Sequence, residues 1–233
     1  MPMQPPHAPA APARPPIAGL LPLILGLALL RGLLYLALMP PWQHYDEPTH
    51  FEYVSLLATR WRLPQTSDYD LEMGREIAAS MQAADFWKDL GRPALDLFSS
   101  KPPPIGISEL HHPPLYYLLL ALPQVLVRYQ DVETQLYLAR LVSVLFYVAI
   151  VAAAYGLSAE LFPRRPGLPL SAAALVAFWP PITDLMSGVN NDVGAAAFAS
   201  LLLWATVRLL RRGPSPRRVA AILLLAGACL EDV

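Results

Sequence analysis

The sequence has little cysteine and little charge. Its only cysteine is Cys229, and 15% of its 233 residues are charged. One cysteine excludes an internal disulfide and cannot form a metal site alone. Hydrophobic residues make up 55% of the chain, and the mean hydropathy is +0.39. A chain this apolar is typical of an integral membrane protein and not of a soluble domain.

Several enzyme motifs are also missing. The sequence has no glycine-rich phosphate loop, no serine or cysteine nucleophile motif and no Cys/His zinc spacing. The missing phosphate loop disfavours a nucleotide-sugar donor. We expect no nucleic-acid partner; the net charge of -1 is uninformative because it averages an acidic and a basic part of the chain.

Long apolar runs organise the rest. Residues 1–16 are rich in Pro and Ala and predict a disordered cytoplasmic tail. Residues 17–39 are long enough to cross a hydrocarbon layer, which takes about 20 residues, and predict an uncleaved first transmembrane helix. Residues 17–233 are predicted to form one membrane domain, with further transmembrane helices at 137–157, 168–186, 193–210 and 219–233. The last run reaches the end of the chain, so we expect a truncated helix and the N-terminal part of a longer protein.

Basic residues give the orientation. Two short loops carry paired arginines, at residues 164–165 and 211–218, and both should be cytoplasmic. With the tail inside as well, the parity of crossings puts residues 40–135 outside, and the Pro-interrupted run 113–127 is then a re-entrant or interfacial helix. The predicted fold is an all-α polytopic integral membrane helix bundle with a long external loop. This loop should contain juxtamembrane helices near 48–61, 71–90 and 113–127, and it carries 13 acidic residues against 7 Lys/Arg.

Three polar motifs converge on the predicted outer face. Asp46 and Glu47 follow the first transmembrane helix, with His50 about one helical turn away. His111 and His112 precede the run at 113–127. The third motif, which includes Asn191 and Asp192, separates the runs 168–186 and 193–210, and the cation of Arg140 lies near the same level.

In this order the motifs resemble the GT-C superfamily of membrane glycosyltransferases, which includes protein O-mannosyltransferases and the aminoarabinose transferases of lipid A. The matching text is YDEPTHF, HHPPLYYLL, ARLVSVLF and FWPPITDLMSGVNND, and the resemblance spans about residues 20–210. The resemblance implies transfer of a sugar from a polyprenyl-phosphate donor to a lipid, glycan or protein acceptor. It also implies an active site on the extracytoplasmic face of the cytoplasmic (inner) membrane.

The resemblance further implies roles for individual residues. Asp46 would be the general base that deprotonates the acceptor, and Glu47 would orient the acceptor or a metal. Asp46 and Asp192 could hold Mg²⁺ or Mn²⁺, although some members of the superfamily need no ion. The remaining candidates are expected to bind substrate: His50, His111, His112, Arg140, Asn191 and Asp192.

Simpler explanations exist for the same residues. The helix dipole favours acids at a helix start, and Arg140 could snorkel to the interface. A tight turn and helix cap would accept Asn190, Asn191 and Asp192. At the level of function, the alternatives are an envelope glycolipid transporter or flippase and an inactive truncated transferase. A transporter should place its ionisable residues near the bilayer midplane and show two related halves. Here the acids lie in loops and at helix ends, which favours the enzyme.

Overall fold

The structure is a computed structural model that describes residues 19–65, 67–89, 91, 96–97, 101, 103 and 105–230. The predicted tail, 1–16, lies outside the described residues. Within the described part the chain forms helices and no strand, which confirms the predicted all-α class. The helices are α1 (Leu21–Leu38), α2 (Glu47–Arg60), α3 (Leu71–Ala83), α4 (Phe86–Asp89), α5 (Leu115–Val127), α6 (Val132–Leu161), α7 (Gly167–Phe178), α8 (Pro180–Ser187), α9 (Asn191–Arg212) and α10 (Pro216–Leu230).

Three helices, α1, α6 and α9, are long and apolar enough to cross a membrane. They coincide with the predicted crossings at 17–39, 137–157 and 193–210. The chain is therefore a polytopic membrane protein, as predicted. The predicted crossing at 219–233 falls on α10, which has 15 residues within the described part of the chain, and its passage through the membrane stays a prediction.

The predicted crossing at 168–186 is a bent pair of helices and not one straight helix. The axes of α7 and α8 differ by 61°. Trp179 separates them in an extended conformation, with φ -77° and ψ 111°. Two prolines follow it, and a proline both disfavours the helical region for the residue before it and lacks the N–H that would continue the helix. The bend directs the end of α8 toward the start of α9.

Helix α6 is the centre of the bundle and packs against α1, α5, α7, α8 and α9. Two contacts depend on glycines. Gly32 of α1 lies against Val144 and Tyr147 of α6, and Gly156 of α6 lies against the indole ring of Trp204 on α9. A side chain at either glycine would collide with its neighbour, so these helices approach more closely than larger residues would allow.

The described helices of the predicted external loop pack against one another and against α6. Helix α2 is buried continuously from Glu47 to Ala58 and packs on α5, where the rings of Tyr53 and Tyr117 stack with centroids 4.1 Å apart. Helices α2, α3 with α4, and α5 lie where the sequence predicts juxtamembrane helices, but the single helix predicted at 71–90 is interrupted at 84–85, where Asp85 is left-handed with φ 58°. Their position relative to a bilayer stays a prediction.

The two ends of α6 differ in charge. Near its C-terminal end, Glu160 pairs with Arg212 at 2.7 Å, and Arg211 donates to the Glu160 carbonyl at 2.8 Å. The basic loops at 164–165 and 211–218 therefore meet at one end of the bundle. The rise per helical residue puts Arg140 about 30 Å from that end, and Glu47 of the first polar motif contacts Arg140 there.

Candidate active site

Glu47 and Arg140 form a fully buried ion pair at the centre of the region. Both side chains are 0% exposed. Arg140 Nε donates to Glu47 Oε1 at 2.8 Å, and Nη2 donates to Oε2 at 2.6 Å. This bidentate geometry is the strong form of an arginine–carboxylate pair, and it joins the start of α2 to α6.

All five N–H donors of Arg140 are used in this arrangement. Besides Glu47, the guanidinium donates to the carbonyls of Leu36, Met39 and Pro40 at 3.3, 2.9 and 3.0 Å. These are orphan carbonyls at the C-terminal end of α1 and just beyond it. Arg140 is thus neither snorkelling nor placed to offer a free donor to a phosphate in this geometry. Its predicted role in substrate binding is not supported by these contacts.

Glu47 also accepts from the backbone. The N–H of Trp42 donates to Oε2 at 3.1 Å and that of Val189 to Oε1 at 3.2 Å. One carboxylate therefore connects the exit of α1, the start of α2, α6 and the turn between α8 and α9. With no exposed surface, Glu47 is placed to position its neighbours, and these contacts do not support its predicted contact with an acceptor or metal.

Asp46 differs from Glu47 in exposure, backbone conformation and hydrogen bonding. Its side chain is exposed, its backbone is left-handed with φ 49° and ψ 18°, and its carbonyl accepts from His50 N at 3.2 Å. Among the described residues its carboxylate makes no hydrogen bond or ion pair. A left-handed non-glycine residue is held by its surroundings and is often found at functional sites. The structure thus presents one free carboxylate beside a buried, fully satisfied one.

His50 lies one turn along α2 and is buried. Its Nδ1 is 2.7 Å from the hydroxyl of Tyr117 on α5. Burial, and secondarily the nearby His112, lower the pKa of His50 to about 4. At neutral pH the ring is therefore uncharged.

His112 connects the second motif to the third. Its Nδ1 is 3.2 Å from Asn191 Nδ2, and its Nε2 is 2.7 Å from a carboxylate oxygen of Glu109. The hydroxyl of Tyr53 on α2 donates to the His112 carbonyl at 3.1 Å. The rings of His112 and His50 have centroids 6.0 Å apart. Contacts therefore join all three predicted motifs in one region.

His111, Asn191 and Asp192 lie at the surface of this region to different degrees. His111 is exposed beside the His112 ring, with centroids 4.3 Å apart. Asp192 is exposed in the first turn of α9. Asn191 is half-buried, while the preceding Asn190 caps α9 by accepting from Val193 N at 3.2 Å. The cap explanation thus holds for Asn190, and Asp192 keeps a carboxylate without a hydrogen bond or ion pair among the described residues.

The predicted ion between Asp46 and Asp192 would have two exposed carboxylates as its protein ligands. No third Asp, Glu, His or Cys of the described residues joins them in a close cluster. The cluster that does form, with ligand atoms within 4.8 Å of one another, contains Glu109, His111 and His112. A shared Mg²⁺ or Mn²⁺ at Asp46 and Asp192 stays a prediction.

Two polar residues of this region lie outside the predicted set of site residues. His44 is 7% exposed and its Nδ1 lies 3.5 Å from Asp184 Oδ1. Burial lowers the pKa of His44, against the opposing effects of the Glu47 and Asp184 carboxylates. Gly188 leaves room for the His44 ring, because a side chain there would lie 2.6 Å from it. In the sequence, His44 is marked by its position two residues before Asp46. Asp184 is marked as an acidic residue in an apolar segment.

The fold and the site define a polytopic helical membrane protein with an exposed carboxylate next to a buried ion pair at one end of its bundle. Residues 111–230, just over half of the chain, match the family model described as dolichyl-phosphate-mannose-protein mannosyltransferase. The chain belongs to this family and is a membrane glycosyltransferase of the mannosyltransferase type. No curated protein and no solved structure matches the chain. Asp46 and Glu47 lie outside the matched residues, so their roles depend on the geometry alone.

Proposed function

We propose that this protein transfers a sugar from a polyprenyl-phosphate donor to a hydroxyl-bearing acceptor at the outer face of the cytoplasmic membrane, with Asp46 as the general base. The observation that carries the proposal is the free, exposed Asp46 carboxylate at the fixed start of α2. The family match to residues 111–230 supports the reaction class and disfavours the transporter alternative.

The chemistry needs few protein groups. The donor already has a good leaving group, so the enzyme has to position the acceptor and remove its proton. The acceptor hydroxyl gives its proton to the Asp46 carboxylate as its oxygen forms a bond to C1 of the sugar. The bond between C1 and the phosphate oxygen breaks, and the electron pair leaves with the polyprenyl phosphate.

The buried residues act through Asp46. Glu47 and Arg140 fix the turn that holds the Asp46 backbone in its left-handed conformation, so they are positioning residues. His111, His112, Asn191 and Asp192 belong to the motifs that the His50–His112 and His112–Asn191 contacts join to α2, and they are proposed to contact the acceptor or the donor phosphate. Neutral His50 joins α2 to α5 through its hydrogen bond with the Tyr117 hydroxyl.

The test is sugar transfer by the chain reconstituted in liposomes with a polyprenyl-phosphate mannose donor and a serine-containing acceptor peptide or a glycan acceptor. Asp46→Asn should lower transfer at least 100-fold, as loss of a general base typically does. Asp85→Asn is the matched control, because Asp85 is also exposed and also left-handed, with φ 58°. It should transfer like the unchanged chain.

Two outcomes contradict the proposal. Undiminished transfer by Asp46→Asn would remove Asp46 as the base. No transfer by the unchanged, folded chain would favour the alternative that the chain is an inactive form of such a transferase.

A further inference from the structure

The loop before α5 contains a carboxylate and two imidazoles in one small cluster. One ligand atom each from Glu109, His111 and His112 lies within 4.8 Å of the other two. Two imidazoles and one carboxylate form a ligand set typical of zinc and other divalent transition ions, whereas Mg²⁺ and Ca²⁺ prefer oxygen alone. From this geometry we infer that Glu109, His111 and His112 bind a divalent transition-metal ion of the Zn²⁺ type.

The cluster is held in place by its surroundings. Tyr53 of α2 donates to the His112 carbonyl at 3.1 Å, and His112 N donates to the Glu109 carbonyl at 3.1 Å. The Glu109 side chain is only 12% exposed. Two of the three ligands are therefore ordered before an ion arrives, which lowers the entropic cost of binding it.

The contact between Glu109 and His112 is the one an ion would replace. Nε2 of His112 lies 2.7 Å from Glu109 Oε2, which is hydrogen-bonding distance. A tetrahedral ion with bonds of about 2.0 Å separates its ligand atoms by about 3.3 Å. Small side-chain rotations would open the pair to this distance. His111 is exposed and free to complete the set.

Asn191 supplies the outer partner that a metal-bound histidine requires. A ligating histidine donates its second N–H to a neighbouring acceptor, which fixes the ring. Nδ1 of His112 lies 3.2 Å from the Asn191 amide. The amide can donate through Nδ2 to the ion-free ring or, after rotation by 180°, accept through Oδ1 from the metal-bound ring.

Three protein ligands leave at least one coordination position open for water or an anionic oxygen. The ion would lie beside the start of α9 and connect the loop before α5 to it through Asn191. This site is separate from the ion predicted between Asp46 and Asp192, and it does not depend on the proposed transferase reaction.

The test measures metal in the purified, tag-free chain. The chain is stripped with chelator, exposed to Zn²⁺ or Co²⁺ and dialysed. About one zinc ion per chain should remain, and bound Co²⁺ should give the intense visible absorption of a tetrahedral site. His111→Ala and Glu109→Gln should lose both signals while keeping the helical circular dichroism of the unchanged chain. Asn191→Leu should weaken zinc binding about 10- to 100-fold.

His7→Ala is the control, because it removes a histidine outside the described residues and should retain the metal. The inference is overturned if no zinc remains after dialysis, or if His7→Ala loses as much zinc as His111→Ala. It is also overturned if Asp46→Asn and Asp192→Asn lose the ion while His111→Ala retains it, since the ion would then lie at the carboxylates. His111→Gln tests the same ligand if His111→Ala fails to fold.

Discussion

At the scale of single residues, neighbouring acids have opposite environments. Glu47 is buried and accepts four hydrogen bonds, while Asp46 is exposed and its carboxylate accepts none from the described residues. A buried carboxylate is tolerated only with full compensation, and Arg140 supplies the compensating charge. Glu47 thus stabilises the turn, and the Asp46 carboxylate remains available to a substrate.

Glu47→Gln should destabilise the chain by about 3–5 kcal/mol, because it leaves the buried Arg140 charge without its partner. The measurement is thermal unfolding in detergent, followed by tryptophan fluorescence. The double variant Glu47→Gln/Arg140→Met removes both charges and should be less destabilised than the sum of the two single variants. Strictly additive losses would show that the two residues do not stabilise each other.

Glu52 makes stability depend on pH. It is 5% exposed, and burial together with the Asp70 carboxylate raises its pKa to about 7. Between pH 4.5 and 7 Glu52 therefore binds more protons in the folded chain than in the unfolded chain. Its contribution to stability should fall as pH rises through this range, by on the order of 3 kcal/mol, and stay level above it. The lowered pKa of His50 acts in the opposite direction below pH 6.5, so the Glu52 contribution is measured as the difference between the unchanged chain and a variant.

Glu52→Gln should remove this contribution, so its melting temperature should rise more with pH than that of the unchanged chain and should be the higher of the two above pH 7. The measurement is the melting temperature from pH 4.5 to 8 for both chains. Glu76→Gln is the control, since Glu76 is an exposed carboxyl on α3 and should keep the original slope. An unchanged slope in Glu52→Gln would show that Glu52 is ionised in the folded chain.

At the scale of elements, close helix contacts depend on glycine. Gly156→Ala places a methyl group against the Trp204 ring and should cost about 1–3 kcal/mol through overpacking between α6 and α9. Gly26→Ala on α1 is the matched control, because no atom lies within 4 Å of its added side chain. It should be neutral or stabilise by up to about 1 kcal/mol through helix propensity.

Both glycine variants are compared by thermal unfolding. Equal melting temperatures for Gly156→Ala and Gly26→Ala would mean that the α6–α9 contact does not require a residue without a side chain. Trp204 would then have to move at little cost.

Helix positions were more predictable than their connections. Apolar length and polar spacing predict helices near 48–61 and 113–127, and the structure has them at Glu47–Arg60 and Leu115–Val127. The 61° bend between α7 and α8 divides the single crossing predicted at 168–186 into two helices, and Pro180 and Pro181 mark its position. Proline limits local conformation but does not determine the direction in which the next helix packs.

At the scale of the whole molecule, the basic loops meet at one end of the bundle, and Arg140 with its partner Glu47 lies about 30 Å from that end. If basic loops remain cytoplasmic, Ser108 should face outward and Ser215 inward. The test replaces Cys229 with serine and introduces Ser108→Cys or Ser215→Cys. An impermeant maleimide should label the first in intact cells with a permeable outer envelope, and the second only after lysis.

Two labelling results would contradict the expectation that Ser108 and Ser215 lie on opposite sides of the membrane. Labelling of both cysteines from the same side would overturn the parity argument and, with it, the proposed outer location of Asp46. Labelling of Ser215→Cys alone from outside would reverse the orientation of the whole bundle and leave the internal contacts unchanged.

The sequence by itself determined that this is an all-α membrane protein, because hydrophobic length and periodicity are local properties that do not depend on the rest of the fold. It also identified the candidate motifs by residue type. Only the tertiary structure decided their roles. Glu47 and Arg140 lie 93 positions apart, and neither residue type reveals whether it will be buried with a partner or left exposed. Burial and pairing depend on how the helices pack, and that packing gives the neighbouring residues Asp46 and Glu47 different environments.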